Sequence, residues 1–237
     1  MCILSRGIEE LCESDGDFKN LIASRSEEVT ALLNRYINEI ETFNPAYGLV
    51  GTNDKNELII KHILDSLAPL GIISRLLNSL RASVSLCEPF RIKFADAGSG
   101  AGLPGIPLAI AMPENDFTLI ERMGRRAGFL MNTKAILSLS NVSIEEKELE
   151  KVKDSFNLIT FRAFKPFEPK LLKTLFKICA PGGIIAAYKG RREKIEAEMA
   201  PLNAFFSETS HAEWEAIPYT VPFLEEERHL LVIRNLS

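Results

Sequence analysis

The sequence predicts an α/β protein: a Rossmann-like, mostly parallel, doubly wound sheet preceded by an N-terminal helical segment. Three observations predict it. The chain has 237 residues, 46% hydrophobic and 25% charged, which is globular composition with enough length for a sizeable core. Apolar residues recur at helical spacing through the first third. From about residue 91, short strand-like apolar runs alternate with helical ones, the order that gives parallel strands joined by helical crossovers.

The elements follow in order. Val29, Leu33, Tyr36, Ile40 and Phe43 fall at i, i+4, i+7, i+11 and i+14, on one helix face. Asn44-Pro45 is expected to stop that helix. A second helix is expected from Asp54, a capping side chain with Glu57 three residues on as in a capping box. Its buried stripe is Ile59, Ile63 and Leu67 (or Leu70), and 72–80 reads as a third helix. Residues 92–95 read as a first strand, followed by a glycine-rich turn. Strands at 117–120, 142–144, 158–161, 184–188 and 230–233 follow, with helices at 126–139, 168–178 and 192–199. The chain thus divides into a helical segment, 1–89, and an α/β domain, 90–237. Ligands of such sheets bind at the carboxyl ends of the strands.

Four cysteines, at 2, 12, 87 and 179, include no CxxC pair and no His at zinc spacing. No metal is expected, and the setting reads as reduced cytoplasm. Met1-Cys2-Ile3-Leu4 runs straight into Ser5, Arg6, Gly7, Ile8, Glu9 and Glu10, without the apolar run of a signal peptide. The longest uncharged apolar stretch is expected near 106–112, broken by Pro107 and too short to span a bilayer. Lys plus Arg is 28 and Asp plus Glu is 32, a net charge of −4, which taken alone argues against nucleic acid. Its distribution argues otherwise. Residues 160–194 hold nine Lys or Arg and two Glu, a surplus of +7 that leaves −11 for the remainder. Arg122, Arg125 and Arg126 add positive charge beside Glu121. This pattern suits local docking on structured RNA better than non-specific polyanion binding.

The strongest local signal is Asp96-Ala97-Gly98-Ser99-Gly100-Ala101-Gly102-Leu103-Pro104-Gly105, between the first strand and a helix. Gly100-x-Gly102-x-x-Gly105 fits the dinucleotide fingerprint on spacing alone. Asp96-x-Gly98-x-Gly100-x-Gly102 fits the loop of S-adenosylmethionine-dependent methyltransferases. Charge separates the two. A pyrophosphate wants bare N–H groups, and a carboxylate at the strand end repels it. S-adenosylmethionine carries a cationic amino group and a sulfonium, which Asp96 suits. Glu121, ending the second strand, can accept from both ribose hydroxyls of either cofactor. The bland alternative is a plain tight turn plus a surface acid.

Acceptor chemistry narrows the reaction. Methylation of an adenine amine uses an Asn- or Asp-Pro-Pro-aromatic motif after the fourth strand, where this chain has Thr160-Phe161-Arg162-Ala163-Phe164-Lys165-Pro166. Methylation of a pyrimidine C5 needs a cysteine nucleophile; Cys179 sits at a helix end before Pro181-Gly182-Gly183 and reads as packing. A guanine N7 needs neither, because its lone pair lies unprotonated in the ring plane. Arg162, with Phe161 and Phe164 beside it, could stack a splayed base. Lys189, closing the fifth strand in Tyr188-Lys189-Gly190-Arg191-Arg192, could meet a phosphate. A small-molecule methyltransferase, an NAD-dependent oxidoreductase and a non-catalytic RNA-binding module each explain part of the pattern.

From about residue 36 onward the sequence resembles the bacterial small-subunit ribosomal RNA guanine-N7 methyltransferases, the glucose-inhibited division protein B family. The resemblance is carried by Phe43-Asn44-Pro45-Ala46-Tyr47, Lys61-His62-Ile63-Leu64-Asp65-Ser66, the 96–107 loop, Gly124-Arg125-Arg126 with Phe129-Leu130, Arg162-Ala163-Phe164, Lys189-Gly190 and Glu227-Arg228-His229-Leu230. It implies the class I S-adenosylmethionine-dependent methyltransferase fold and methylation of a guanine N7 in 16S ribosomal RNA. It implies donor contacts at Gly98, Leu103 and Arg162, and at Leu149-Glu150 facing the adenine. Where the family commonly has Arg two residues before that Glu, this chain has Glu148. Its Ala-Tyr-Asn-Leu-Thr is Ala46-Tyr47-Gly48-Leu49-Val50 here. The expected donor site is therefore Asp96, Gly98, Gly100, Gly102, Leu103, Glu121, Leu149, Glu150 and Arg162, with Arg162 also catalytic. The expected RNA contacts are Arg125, Arg126, Phe164, Lys165, Lys189, Arg191, Arg192, Arg228 and His229, in a monomer.

Overall fold

The computed structural model describes residues 2–83, 91–162, 167–202, 206 and 212–235. Seven strands form one sheet: β1 Lys93–Ala97, β2 Asp116–Ile120, β3 Val142–Glu145, β4 Phe156–Arg162, β5 Cys179–Lys189, β6 Ala212–Val221 and β7 Leu224–Asn235. Their order is β3-β2-β1-β4-β5-β7-β6. β1 to β5 are parallel, and β7 runs antiparallel to both β5 and β6. The strand order reverses between β1 and β4, so loops leaving their carboxyl ends diverge and leave a crevice there.

Strand alternation divides the core. Phe94, Leu158, Ile184, Ala186 and Tyr188 pack on one face; Ala95, Ile159, Phe161, Ile185 and Ala187 pack on the other. The first face is covered by α1 Ile3–Ser14, α2 Gly16–Ile22, α3 Ser26–Tyr47, α4 Lys55–Leu58, α5 Asp65–Leu67, α6 Leu70–Ser83, α7 Gly105–Ala111 and α8 Gly124–Leu137. The second is covered by α9 Pro169–Ile178 and α10 Arg192–Met199. The N-terminal helices and this first face share one continuous apolar cluster. The expected boundary at 89/90 lies outside the described residues.

Several local expectations are corrected. Asn44-Pro45 does not stop α3, which continues to Tyr47. Pro45 sits in the last turn, where it forfeits a single helical N–H, and Gly48 at φ +58 supplies the left-handed end. Asn44 then stitches the following loop, its amide donating to Thr52 O (2.9 Å) and its Oδ1 accepting from Val50 N (2.8 Å).

Asp54 does cap α4, accepting from Glu57 N at 2.7 Å. Glu57 does not return the bond directly. The Thr52 hydroxyl stands between, donating to Glu57 (2.6 Å) and accepting from Asp54 N (3.1 Å). After α4 the helix widens into a π-turn, Ile59–Leu64. The run Lys55–Ala82, which contains charged residues, is also long and apolar enough to cross a membrane by length and composition; 72% of its apolar window is buried inside the protein, as in a core helix. β6 was not expected at all. It is an edge strand containing Pro218, with Glu213 and Glu215 on its exposed side, where a missing donor and charges are tolerated.

Candidate functional site

The glycine loop leaves β1 and folds back on itself. Gly98 N and Ser99 N both donate to Ile120 O (2.9 and 3.0 Å), and Gly102 N and Leu103 N donate to Ser99 O (2.7 and 3.2 Å). Gly98, Gly100 and Gly102 adopt φ of +70, +58 and +94. At Gly102 space is also short: a Cβ would lie 2.6 Å from Ile106 and 3.0 Å from Leu130. From α3, the buried Tyr36 hydroxyl donates to Ala101 O at 2.7 Å and pins the loop. Leu103 itself is buried in the core.

Asp96 is 1% exposed. Its Oδ2 accepts from Ser99 Oγ (2.6 Å) and Gly105 N (3.1 Å), while Oδ1 is buried with no partner. Burial pushes its pKa up to about 6, against the pull of those two donors. Glu121 is also buried; its Oε2 accepts from Gly100 N (2.9 Å) and its Oε1 from Met123 N (2.8 Å). It faces a cavity of 530 Å³ lined by Gly98, Glu121, Arg126, Leu149, Glu150 and Lys170, among others. Leu149 and Glu150 open a 3-10 turn after β3, the first buried and the second exposed. Arg126 closes one wall: its Nη2 donates to Gly48 O (3.0 Å), and its Nε is buried without a partner.

Arg162 ends β4 and turns towards the π-turn. Its Nη1 donates to Lys61 O (3.1 Å) and pairs with Asp65 Oδ2 (3.2 Å). Its Nη2 lies 2.6 Å from His62 Nδ1. A guanidinium can only donate, so Nδ1 accepts and the imidazole is neutral with its proton on Nε2. Burial, then the Arg162 charge, pulls the His62 pKa down to about 4. Asp65 Oδ1 accepts from the Tyr219 hydroxyl (3.0 Å) and lies 3.4 Å from Arg228 Nε. Tyr188 donates to Ser66 O at 2.9 Å. This buried cluster joins the helical segment to β4, β5, β6 and β7.

Comparison with known proteins identifies the family. The model of a family described as rRNA small subunit methyltransferase G (GidB) matches residues 29–231. The chain belongs to that family. It is 36% identical to "Ribosomal RNA small subunit methyltransferase G" of Treponema denticola, over 98% of this chain and 94% of that protein. The protein of the same name from Cellvibrio japonicus is 33% identical, over 88% of this chain and 87% of that one. Among solved structures, a Klebsiella pneumoniae protein provisionally assigned as an O-methyltransferase superposes with a TM-score of 0.57 over 87% of this chain and 90% of its own, at 14% identity, a likeness of fold.

As a GidB-family enzyme, the chain is an S-adenosylmethionine-dependent methyltransferase. Its residues fit that donor. The cavity offers Glu121 as an acceptor beside the bare backbone of Gly98, and Asp96 keeps one buried carboxylate oxygen unpartnered. Among the described residues, no group of three or more His, Cys, Asp or Glu could hold a metal ion.

The structure disperses the residues expected to meet RNA. Lys189 is drawn into the fold, its Nζ on Glu198 (2.7 Å) and over the Phe167 ring. Arg192 pairs with Glu196 (2.8 Å) on α10, and Arg228 faces Asp65. His229 is buried, with Nδ1 2.8 Å from Gly190 O. Arg125 and Arg191 are exposed. Phe164 and Lys165 lie outside the described residues. Phe161, expected to help stack a base, is a core residue 5.4 Å from the Phe167 ring; its position in β4 points it to the α9 face. Cys179 is buried at the amino end of β5, and burial pushes its thiol up to about 12, so it is no nucleophile.

Sequence reasoning missed Tyr36 and Asp65 as site-building residues. Tyr36 was legible as an apolar helix position, and its hydroxyl target was not. Asp65 was legible in its motif, but nothing local indicates a partner about a hundred residues away.

Proposed function

We propose that this methyltransferase transfers the S-adenosylmethionine methyl group to N7 of a guanine in 16S ribosomal RNA, in the cytoplasm and as a monomer. The observation that carries the donor half is the cavity at the carboxyl ends of β1 to β3, with Glu121 facing it and the Asp96 Oδ1 acceptor buried nearby. The donor, when bound, supplies a methyl group already activated by its sulfonium. The protein's task is then chiefly orientation.

In this reading Glu121 orients the ribose and Asp96 meets the amino group. Leu149 and Glu150 border the adenine and Gly98 lines the wall, while Gly100, Gly102 and Leu103 act from behind it by setting the course of the loop. Arg162 is assigned to the acceptor side. A guanine N7 carries no proton to remove, and the arrangement supports such an acceptor. Asp96 has Oδ2 engaged by Ser99 and Gly105 and Oδ1 assigned to the donor's amino group, and His62 uses its Nδ1 on Arg162. The relatives' shared name supports the ribosomal substrate.

The test is transfer from labelled donor to small ribosomal subunits, naked 16S RNA and free nucleosides. Label in RNA is expected; label confined to nucleosides would replace the reading with a small-molecule methyltransferase. Calorimetry with S-adenosylhomocysteine and with NAD checks the donor, and binding of NAD alone would remove it.

A further inference from the structure

We propose that the lysine face of α9 is a docking surface for the phosphate backbone of the RNA; this rests on the reading of the substrate as RNA. α9 carries Lys170, Lys173 and Lys177 and no acidic residue. With Thr174 they fall at i, i+3, i+4 and i+7, so one side of the helix presents all four. Leu172, Leu175 and Ile178 are buried on the other side. All three lysines are exposed. With Thr174 and Glu150 they line a concave surface of 450 Å³. Glu150 and Lys170 also line the donor cavity. The lysine track therefore runs, over about 10 Å of helix axis, into the place where the methyl donor is assigned.

Pairing separates these lysines from several of the other basic residues. Lys189, Arg192 and Arg228 each face a carboxylate of this chain, and Lys151 pairs with Glu148 at 3.0 Å. Among the described residues Lys170, Lys173 and Lys177 form no ion pair; Glu150 is the one acid lining their groove. The neighbouring α10 interleaves both signs, the ordinary pattern of a solvated helix, with Arg192 on Glu196. Like charges stacked on one helix face repel, so the α9 arrangement carries a small stability cost. A polyanion reverses that cost. Each phosphate neutralised releases condensed counterions, and the affinity so gained depends steeply on salt. A flexible ammonium is a point-charge partner suited to backbone phosphate rather than base edges. RNA is favoured over an acidic protein surface because the track leads to the donor cavity, where the acceptor nucleotide must arrive.

The experiment compares wild type with the double variant Lys173→Gln/Lys177→Gln, binding a labelled 16S RNA fragment over a series of salt concentrations. Neither residue lines the donor cavity, so unchanged S-adenosylhomocysteine binding verifies the variant's fold. Affinity is expected to fall about tenfold at low salt, and the slope of log K against log salt to shrink by roughly 1.4 to 1.8. KM for RNA should rise with kcat unchanged, and Lys173→Arg/Lys177→Arg should restore binding. An unchanged affinity and slope would overturn the proposal. Weakened binding to intact subunits with no loss on naked RNA would place a protein on this face and would overturn it too. If wild type transfers no methyl to RNA, the functional reading falls, while the binding comparison still decides this surface.

Discussion

At Gly102 two constraints coincide. The backbone sits at φ +94, and the space where a Cβ would go is filled by Ile106, Leu130 and the Tyr36 hydroxyl. Gly100 has the positive φ but open space, its nearest neighbours being 3.9 and 4.0 Å from a built Cβ. Gly102→Ala should therefore cost about 3 kcal/mol and Gly100→Ala about 1 kcal/mol, from strain plus overpacking against strain alone. Denaturant unfolding measures both, and equal costs would refute the packing argument. Tyr36→Phe should cost about 1 kcal/mol by leaving Ala101 O without its donor.

Asp96 gives a pH prediction. Its folded pKa is raised to about 6, so its favourable contribution is present below the unfolded value and lost as pH rises through about 6. A ligand ammonium stabilises the ionised form. S-adenosylmethionine affinity should consequently rise between pH 5 and 7 and then level off. Calorimetry across that range checks it, and a flat profile would separate Asp96 from the amino group. The glycine pattern and both carboxylates were legible as residues. Their partners, Ser99, Gly105 and Met123, follow from how the loop folds back, which spacing does not encode.

Among the elements, the π-turn Ile59–Leu64 and α5 matter most, because they bring His62 and Asp65 to Arg162. Removing one partner of a buried ion pair leaves a desolvated charge behind. Asp65→Ala would leave Arg162 and Arg228 facing each other and should cost about 3 kcal/mol. Arg162→Ala should nearly abolish methyl transfer as well as destabilise, and an unaltered rate would count against its assigned role.

His62 sets an acid limit. Its folded pKa is depressed to about 4. The unfolded chain therefore takes up a proton first, and the contribution is full above about 6.5 and lost as pH falls towards 4. His62→Gln should lose less stability between pH 7 and 5 than wild type; an equal loss would contradict the neutral-acceptor geometry. Helix existence was legible from periodicity, and 192–199 matched α10 to the residue. The π-turn was not legible, since a widened turn preserves the apolar stripe. Nor was β6, whose Pro218 and half-exposed alternation read as loop without its partner β7.

For the whole molecule, net charge was a poor guide and its placement a better one. The basic surplus of residues 160–194 divides on folding. Lys189 and Arg192 meet carboxylates, while the α9 lysines stay uncompensated beside the donor cavity. The parallel sheet was legible because helical stretches lie between most of its strands. The cluster joining residues near 62 to those near 162 and 228 was not, because it exists only once the sheet brings them together.

Methyl transfer to a guanine N7 in small-subunit RNA is tested most directly by mass spectrometry of nucleosides from 16S RNA incubated with the protein and isotopically labelled S-adenosylmethionine. Labelled 7-methylguanosine is expected at one mapped position, lost with Arg162→Ala. Label on any other nucleoside, or none in the RNA, would contradict it.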